Sequence, residues 1–279
     1  MSARSAVAAR DALDGARVAI AAGGSPSARL DAELLLADAL GVTRERLVLD
    51  PSLPVTGEAV RRFQSHVRRR AVEREPVAYI TGRRGFRRIE LAVDKRVLVP
   101  RPETELLVEV GLELPHGAKV LDCATGSGAV ALALRDERPD LVVTGSDLSG
   151  AALSVARENA RRLGLEMQFV ESDLLTGLSD EHDAILANPP YVRSAVLATL
   201  APEIVRHEPA LALDGGGDGL ALIRRLIAQA APRRAALLAL ELGEDQADEV
   251  AGLLATAGFA AVERRRDLAG RERVLVGRR

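Results

Sequence analysis

The chain has 279 residues, 47% of them hydrophobic and 28% charged, with a formal net charge of −2. Length and composition allow one large soluble domain or two smaller ones, and no apolar run approaches the roughly 18 residues that a membrane span needs. A single cysteine, Cys123, excludes an internal disulfide and a cysteine-based zinc site, and Asp11 and Asp14 interrupt any hydrophobic leader after Met1-Ser2-Ala3-Arg4, so a cytoplasmic protein is expected.

In chain order the pattern is helical up to about residue 75. A helix is expected from Ala28 to Leu40, closed by Gly41, and another from Thr56 to Glu75, stopped by Pro76. In the first, Asp31, Glu33 and Asp38 alternate with Leu30, Leu34, Leu35, Ala37 and Leu40, which reads as an amphipathic helix. Residues 77–100 read as a connecting β element, with Phe86, Ile89, Leu91 and Val93 in a partly alternating run, a turn at Asp94-Lys95, and Val97-Leu98-Val99 beyond it. From Glu103 onward strands and helices alternate. Strands are expected at 119–123, 141–146, 167–171, 183–187, 235–241, 259–264 and 273–277, and helices near 103–113, 129–137, 149–163, 218–230 and 245–257. That spacing implies βαβ units and a parallel sheet covered on both faces. The link from Asp267 to Glu272 is too short for a parallel crossover, so the last two strands should form an antiparallel hairpin at the far end of the sheet.

Four of the expected strands end in residues suited to a ligand. After the first comes Ala124-Thr125-Gly126-Ser127-Gly128, whose small residues let a ligand approach the backbone and the free N–H groups of the next helix. Asp147 ends the second strand, where a carboxylate can take both hydroxyls of a ribose. Asp173, followed by Leu174, ends the third and is placed to accept from an adenine amino group. The fourth ends in Asn188-Pro189-Pro190-Tyr191. Proline fixes φ and lacks an N–H, so this loop is stiff and rich in carbonyl acceptors. The Asn188 side-chain oxygen and the Pro189 carbonyl could hold both N–H bonds of a planar NH2 group, with Tyr191 stacked on it. An amide nitrogen is a poor nucleophile because its lone pair is delocalised, and such a site would aim that lone pair at an electrophile. Each strand-end residue taken alone also reads as a turn former or helix cap.

This order of glycine loop, ribose acid, adenine acid and Asn-Pro-Pro-Tyr resembles S-adenosylmethionine-dependent methyltransferases that modify planar nitrogens. Further segments, Glu75-Pro76-Val77-Ala78-Tyr79-Ile80-Thr81-Gly82, Val99-Pro100-Arg101-Pro102-Glu103-Thr104-Glu105 and His207-Glu208-Pro209-Ala210-Leu211-Ala212-Leu213, are similar to those of the peptide chain release factor glutamine methyltransferases, the HemK-like family. The resemblance covers nearly the whole chain. It implies an α/β protein: a seven-stranded, Rossmann-like class I methyltransferase domain (103–279), a β-hairpin linker (76–102) and a small α-helical substrate-recognition domain (1–75). It implies methyl transfer from S-adenosyl-L-methionine to the glutamine amide in the Gly-Gly-Gln loop of class I release factors. Ala124, Thr125, Gly126, Ser127 and Gly128 would cradle the methionine end of the cofactor, Asp147 would hold the ribose, and Asp173 with Leu174 would flank the adenine. Asn188, Pro189, Pro190 and Tyr191 would bind the glutamine side chain, and Asn188 would also border the cofactor; Asn188, Pro189 and Tyr191 are the catalytic candidates. Two departures stand out: Ala124 replaces a glycine, tolerable if its φ is negative, and Leu174 stands where relatives often carry an aromatic.

Direct in-line transfer needs positioning and no metal, and His66, His116, His182 and His207 share no ligand spacing. A ribosomal-protein glutamine methyltransferase, a DNA or RNA amino-methyltransferase and a non-enzymatic binding module remain as alternative readings. The expected partner is the release factor, with neither membrane nor nucleic acid, and the expected state is a monomer. From Arg61 to Arg101 there are thirteen basic and four acidic residues. This stretch is either a solvated face or a patch for an acidic macromolecule, with Arg68, Arg69, Arg70, Arg83 and Arg84 as candidate contacts to the release factor.

Overall fold

The computed structural model describes residues 7–279; the first six, on which the reading of the N-terminal leader rests in part, lie outside them. In chain order the elements begin with β1 (Val7–Ala8), α1 (Ala9–Ala22), α2 (Ala28–Leu40), α3 (Arg44–Leu49), β2 (Pro54–Val55), α4 (Gly57–Ala71) and α5 (Val77–Thr81). They continue with β3 (Arg83–Phe86), β4 (Ile89–Ala92), α6 (Glu105–Leu112), β5 (Lys119–Cys123), α7 (Ala129–Glu137), β6 (Val142–Asp147), α8 (Gly150–Leu163), β7 (Gln168–Glu171) and β8 (Ala184–Ala187). The last are α9 (Pro202–His207), α10 (Ala221–Ala230), β9 (Leu237–Glu241), α11 (Ala247–Thr256), β10 (Ala261–Arg266) and β11 (Glu272–Arg278). Two compact units result: one runs up to Gly82 and includes Ala201–His207, the other comprises Arg83–Leu200 and Glu208–Arg279.

In the helical unit α2 has the expected limits, and Gly41 closes it at φ 67°, a left-handed cap that glycine adopts freely. Ile20, Leu35, Leu36 and Phe63 form its core. The amphipathic expectation for α2 does not hold. Asp31, Glu33 and Asp38 are all buried, whereas Leu30 and Leu34 are exposed. The acids go inward because each meets a cation. Arg70 Nε donates to Asp31 at 2.6 Å, Arg44 Nε to Glu33 at 2.7 Å, and Arg62 to Asp38 at 2.7 Å. Arg70 and Arg74 both reach Glu203 of α9, at 2.8 and 2.6 Å. Burial opposes ionisation of Glu203, but the two guanidiniums outweigh it and hold its carboxyl below the usual range. Arg70 is therefore part of the unit's interior, 6% exposed, and Arg69 is tied by two 2.6 Å bonds to Glu75. Arg70 is thus closed to a partner, whereas a third of the Arg69 side chain stays exposed.

A second correction concerns residues 77–81, read as part of a β element. They form the helical turn α5, with Pro76 at its N-cap and Gly82 at φ 71° ending it. Proline supplies a helix-compatible φ just before the turn and glycine the left-handed stop, so local punctuation overrides the β-branched content.

The second unit opens with the hairpin β3–β4, in which Phe86 faces Ile89 across the Arg87-Arg88 turn. Its sheet has the order β10-β11-β9-β8-β5-β6-β7. The five strands from β9 to β7 are parallel, and β11 and β10 run antiparallel, so the hairpin at the far end is as expected. β8 and β9 are buried along their whole length, as central strands covered on both faces must be. Edge strand β10 carries Arg264, Arg265 and Arg266, charges that discourage pairing with another chain. The chain leaves β5 toward β6 and β7, then returns to lay β8 on the other side of β5. This reversal opens a crevice at the carboxyl ends of β5 and β8, the usual ligand position in open α/β sheets.

Candidate functional site

The loop after β5 is held from several directions. Thr125 N–H donates to Ser146 O at 2.8 Å and Gly128 N–H to Thr125 O at 2.8 Å. Asp122, 2% exposed, accepts from the Thr125 hydroxyl at 2.5 Å and from Ala131 N–H at 3.1 Å. Burial pushes the Asp122 carboxyl up to about 7, against those two bonds. Asn159 Nδ2 donates to Ser127 O and to Ala92 O, both at 3.0 Å, fixing the far side of the loop. Ala124 has φ 61°, so the condition that would make its replacement of glycine harmless fails. The chain must turn sharply between the end of β5 and the bond from Thr125 to β6, and that turn is left-handed. A Cβ there costs about 1–2 kcal/mol. Gly126 also has positive φ, and a Cβ on it would meet no atom within 4 Å, so the space beside it is open.

Asp147 ends β6 and accepts from Gly126 N–H at 2.9 Å and from Ser149 N–H at 2.8 Å. Burial raises its pKa, and these backbone donors oppose the shift. Asp173 is half exposed and accepts from Arg225 at 2.7 Å, so one of its oxygens already has a cationic partner. Leu174 is 8% exposed at φ 54°, a second strained residue on the same rim.

Asn188 follows β8 directly, and its Nδ2 donates to Thr104 Oγ1 at 3.1 Å. Tyr191 does not stand over the crevice: its ring packs on the core and its hydroxyl donates to Glu241 Oε1 at 3.2 Å. Gln246 Nε2 donates to Tyr191 O at 3.0 Å, and Gly215 N–H donates to Val192 O at 2.8 Å. A Cβ on Gly215 would come within 2.8 Å of Pro190 O, so the glycine run beginning there is what lets a second segment clamp this loop. Glu208, also buried, accepts from Arg101 at 2.6 Å and from Val99 N–H at 3.3 Å, joining two segments singled out in the sequence.

Ala124, Thr125, Gly126, Ser127, Asp147, Asp173, Leu174, Asn188 and Pro190 line one cavity, together with Thr104 and Arg101. Gly128, Pro189 and Tyr191 are not part of that lining, and Gly128 is the left-handed N-cap of α7. Sequence reading missed Thr104, Asn159, Gly215 and Glu241 as site-building residues. Glu241 had a usable signal, since it is an acid ending an otherwise apolar strand, as Asp147 and Asn188 end theirs. Among the described residues no cluster of His, Cys, Asp and Glu could hold a metal ion, and no helix is long and apolar enough to cross a membrane.

Residues 11–82 match the family described as the PrmC N-terminal domain, and residues 102–232 that described as the methyltransferase small domain. The release factor glutamine methyltransferase of Rhodospirillum rubrum is 43% identical over 257 residues, covering 90% of this chain and 79% of that protein. That of Deinococcus radiodurans is 44% identical over 278 residues, covering 97% of this chain and 98% of that protein. Among solved structures, a methyltransferase from Pyrococcus furiosus matches with a TM-score of 0.51 at 18% identity, over 67% of this chain and 87% of that one, a likeness of fold alone.

Proposed function

We propose a function from one premise: the chain belongs to the release factor glutamine methyltransferase family. It transfers a methyl group from S-adenosyl-L-methionine to the side-chain amide nitrogen of the glutamine in the Gly-Gly-Gln loop of class I release factors. The observation that carries this reading is Asn188. Its NH2 is engaged by Thr104, which leaves its oxygen as the acceptor on the cavity wall. An acceptor held in that orientation suits a substrate that offers N–H bonds.

The cavity fits the cofactor. The open space beside Gly126 admits a ligand against the backbone, and Asp147 sits one strand away with a carboxylate suited to a ribose diol. Ala124 to Gly128 would hold the methionine end, Asp147 the ribose, and Asp173 with Leu174 the adenine. When bound, S-adenosyl-L-methionine supplies an electrophilic sulfonium methyl. Asn188 Oδ1 accepts from the glutamine NH2 and aims the nitrogen lone pair, a positioning effect, while Pro189, which is not among the lining residues, stiffens the loop that carries it. Positive charge builds on that nitrogen as it attacks, so the Asn188 oxygen binds the transition state more strongly than the neutral amide. The alkylated amide is acidic and loses its proton to water. Tyr191 supports the loop from behind, which replaces the stacking role expected for it.

On this reading residues 1–75 recognise the release factor, 76–102 connect, and 103–279 catalyse, in a cytoplasmic monomer. Incubation with labelled cofactor and, in parallel, a release factor, a ribosomal protein or duplex DNA tests the assignment. Label should enter the release factor. Label in the ribosomal protein or the DNA instead would overturn it.

A further inference from the structure

The arm that carries Asn188 is stiff and is held at both ends. Proline fixes φ, so Pro189 and Pro190 join Asn188 to Tyr191 with little freedom between them. At one end Asn188 Nδ2 donates to Thr104 Oγ1 at 3.1 Å. At the other, Gln246 Nε2 donates to the Tyr191 carbonyl at 3.0 Å. Gln246 stands at the N-cap of α11 and is 4% exposed, but its side chain does not cap that helix. Both ends of its amide go to loops instead. Oε1 accepts from Gly243 N–H at 2.8 Å, which turns the NH2 toward Tyr191 and gives the amide one orientation.

Two further observations concern the same bond. A third segment passes beside it at Gly219, which has φ 82°. A Cβ there would lie 2.6 Å from Gln246 Nε2 and closer still to the Tyr191 oxygen, so the bond requires glycine at this position. Arg193, two residues beyond Tyr191, donates to Asp245 at 2.5 Å, a second tie between the same two loops. That pair is exposed and contributes little by itself, whereas the Gln246 amide is buried.

We propose that Gln246 is a positioning residue: it holds the Tyr191 carbonyl and, through the two prolines, sets where Asn188 Oδ1 stands in the crevice. This deepens the proposed function and rests on the reading that Asn188 binds the glutamine amide. Asn188 and Pro190 line the cavity and Gln246 does not, so Gln246 acts on the substrate only through the arm.

Two variants separate holding from filling. Gln246→Met keeps the length of the side chain and loses the donor. It should lower kcat on the release factor by about 10- to 100-fold, as for a reacting group displaced by up to about 1 Å. Calorimetric affinity for S-adenosyl-L-methionine should stay within about twofold. In Gln246→Glu the introduced carboxyl repels the Tyr191 carbonyl when ionised and donates to it when protonated. Burial raises the pKa of such a carboxyl, so the ratio of the variant's kcat to that of the wild type should rise by about fivefold or more between about pH 8.5 and pH 6. The ratio for Gln246→Met should stay flat. Nearby charges are already partnered, Asp245 by Arg193, Glu244 by Arg271 at 3.4 Å and Asp214 by the Ser194 hydroxyl at 2.6 Å. Titrations common to both proteins, that of Glu241 included, cancel in the ratio.

A readout independent of turnover is the side-chain amide resonance of Asn188 without cofactor or substrate, assigned by its loss in Asn188→Ala. It should shift in Gln246→Met. Wild-type kcat in Gln246→Met, a loss of cofactor affinity matching the loss of kcat, a flat ratio for Gln246→Glu, or an unmoved Asn188 resonance would each overturn the proposal. A shifted resonance, with a wild type that leaves the release factor unmethylated, would overturn the proposed function and leave the positioning by Gln246 standing.

Discussion

Asn188 Oδ1 and Asp147 should separate chemistry from cofactor binding. Asn188→Ala removes one acceptor for the substrate amide and leaves the Asp147 contacts in place. Turnover should fall by about 10²-fold or more, as for loss of one preorganised transition-state contact, and near-wild-type turnover would refute the role. Asp147→Ala should weaken S-adenosyl-L-methionine binding by about 1.5–3 kcal/mol, the range for hydrogen bonds to a charged group. Calorimetry would detect this, and unaltered affinity would move the ribose contact elsewhere. Ala124 yields a prediction of the opposite sign. At φ 61° its Cβ costs about 1–2 kcal/mol, more than glycine's extra unfolded-state entropy of about 0.4–1 kcal/mol. Ala124→Gly should therefore raise the denaturation midpoint, and a lower midpoint would contradict the strain. Leu174 is also strained, but it is buried, and the apolar area lost on change to glycine would outweigh the relief.

Among the elements, α2 and α4 show where sequence reading succeeds and where it stops. The limits of α2 were legible to the residue, because leucine periodicity and a terminal glycine are local signals. The direction in which Asp31 points was not, since its partner Arg70 lies 39 residues away and only packing brings them together. Arg70 in the arginine-rich stretch was misread for the same reason, because a charge run looks solvated or sticky until its counter-ions are located. Arg68 and Arg83, by contrast, are exposed, as either reading expects. Arg70→Ala would strand Asp31 and Glu203 in the helical unit with one cation fewer, which should cost about 3–5 kcal/mol. Hydrogen exchange should then show faster opening of α2 and α4, and unchanged protection would mean that the network is energetically idle. Glu241 was legible by the same rule that found Asp147 and Asn188. It was passed over because its strand follows no recognised ligand loop. The Thr104 contact to Asn188 spans 84 positions, and no local pattern could have announced it.

Across the whole molecule, alternation of strand and helix was enough to give the parallel sheet and the final hairpin, because connection length restricts which strands can pair. The order of strands gives the site its meaning. β5 and β8 pair from Val120↔Ala184 to Cys123↔Ala187, so the glycine loop and Asn188 leave the sheet at the same level. Residues separated by more than sixty positions thus face one crevice, with the loop proposed to hold the cofactor on one side and the Asn188 oxygen on the other. The central claim is that this crevice methylates one particular amide nitrogen, and tandem mass mapping of a purified release factor after reaction tests it most directly. One added methyl group should be found on the side chain of the Gly-Gly-Gln glutamine with the wild-type protein and be lost with Asn188→Ala; a methyl group on any other residue, or equal modification by the variant, would contradict it.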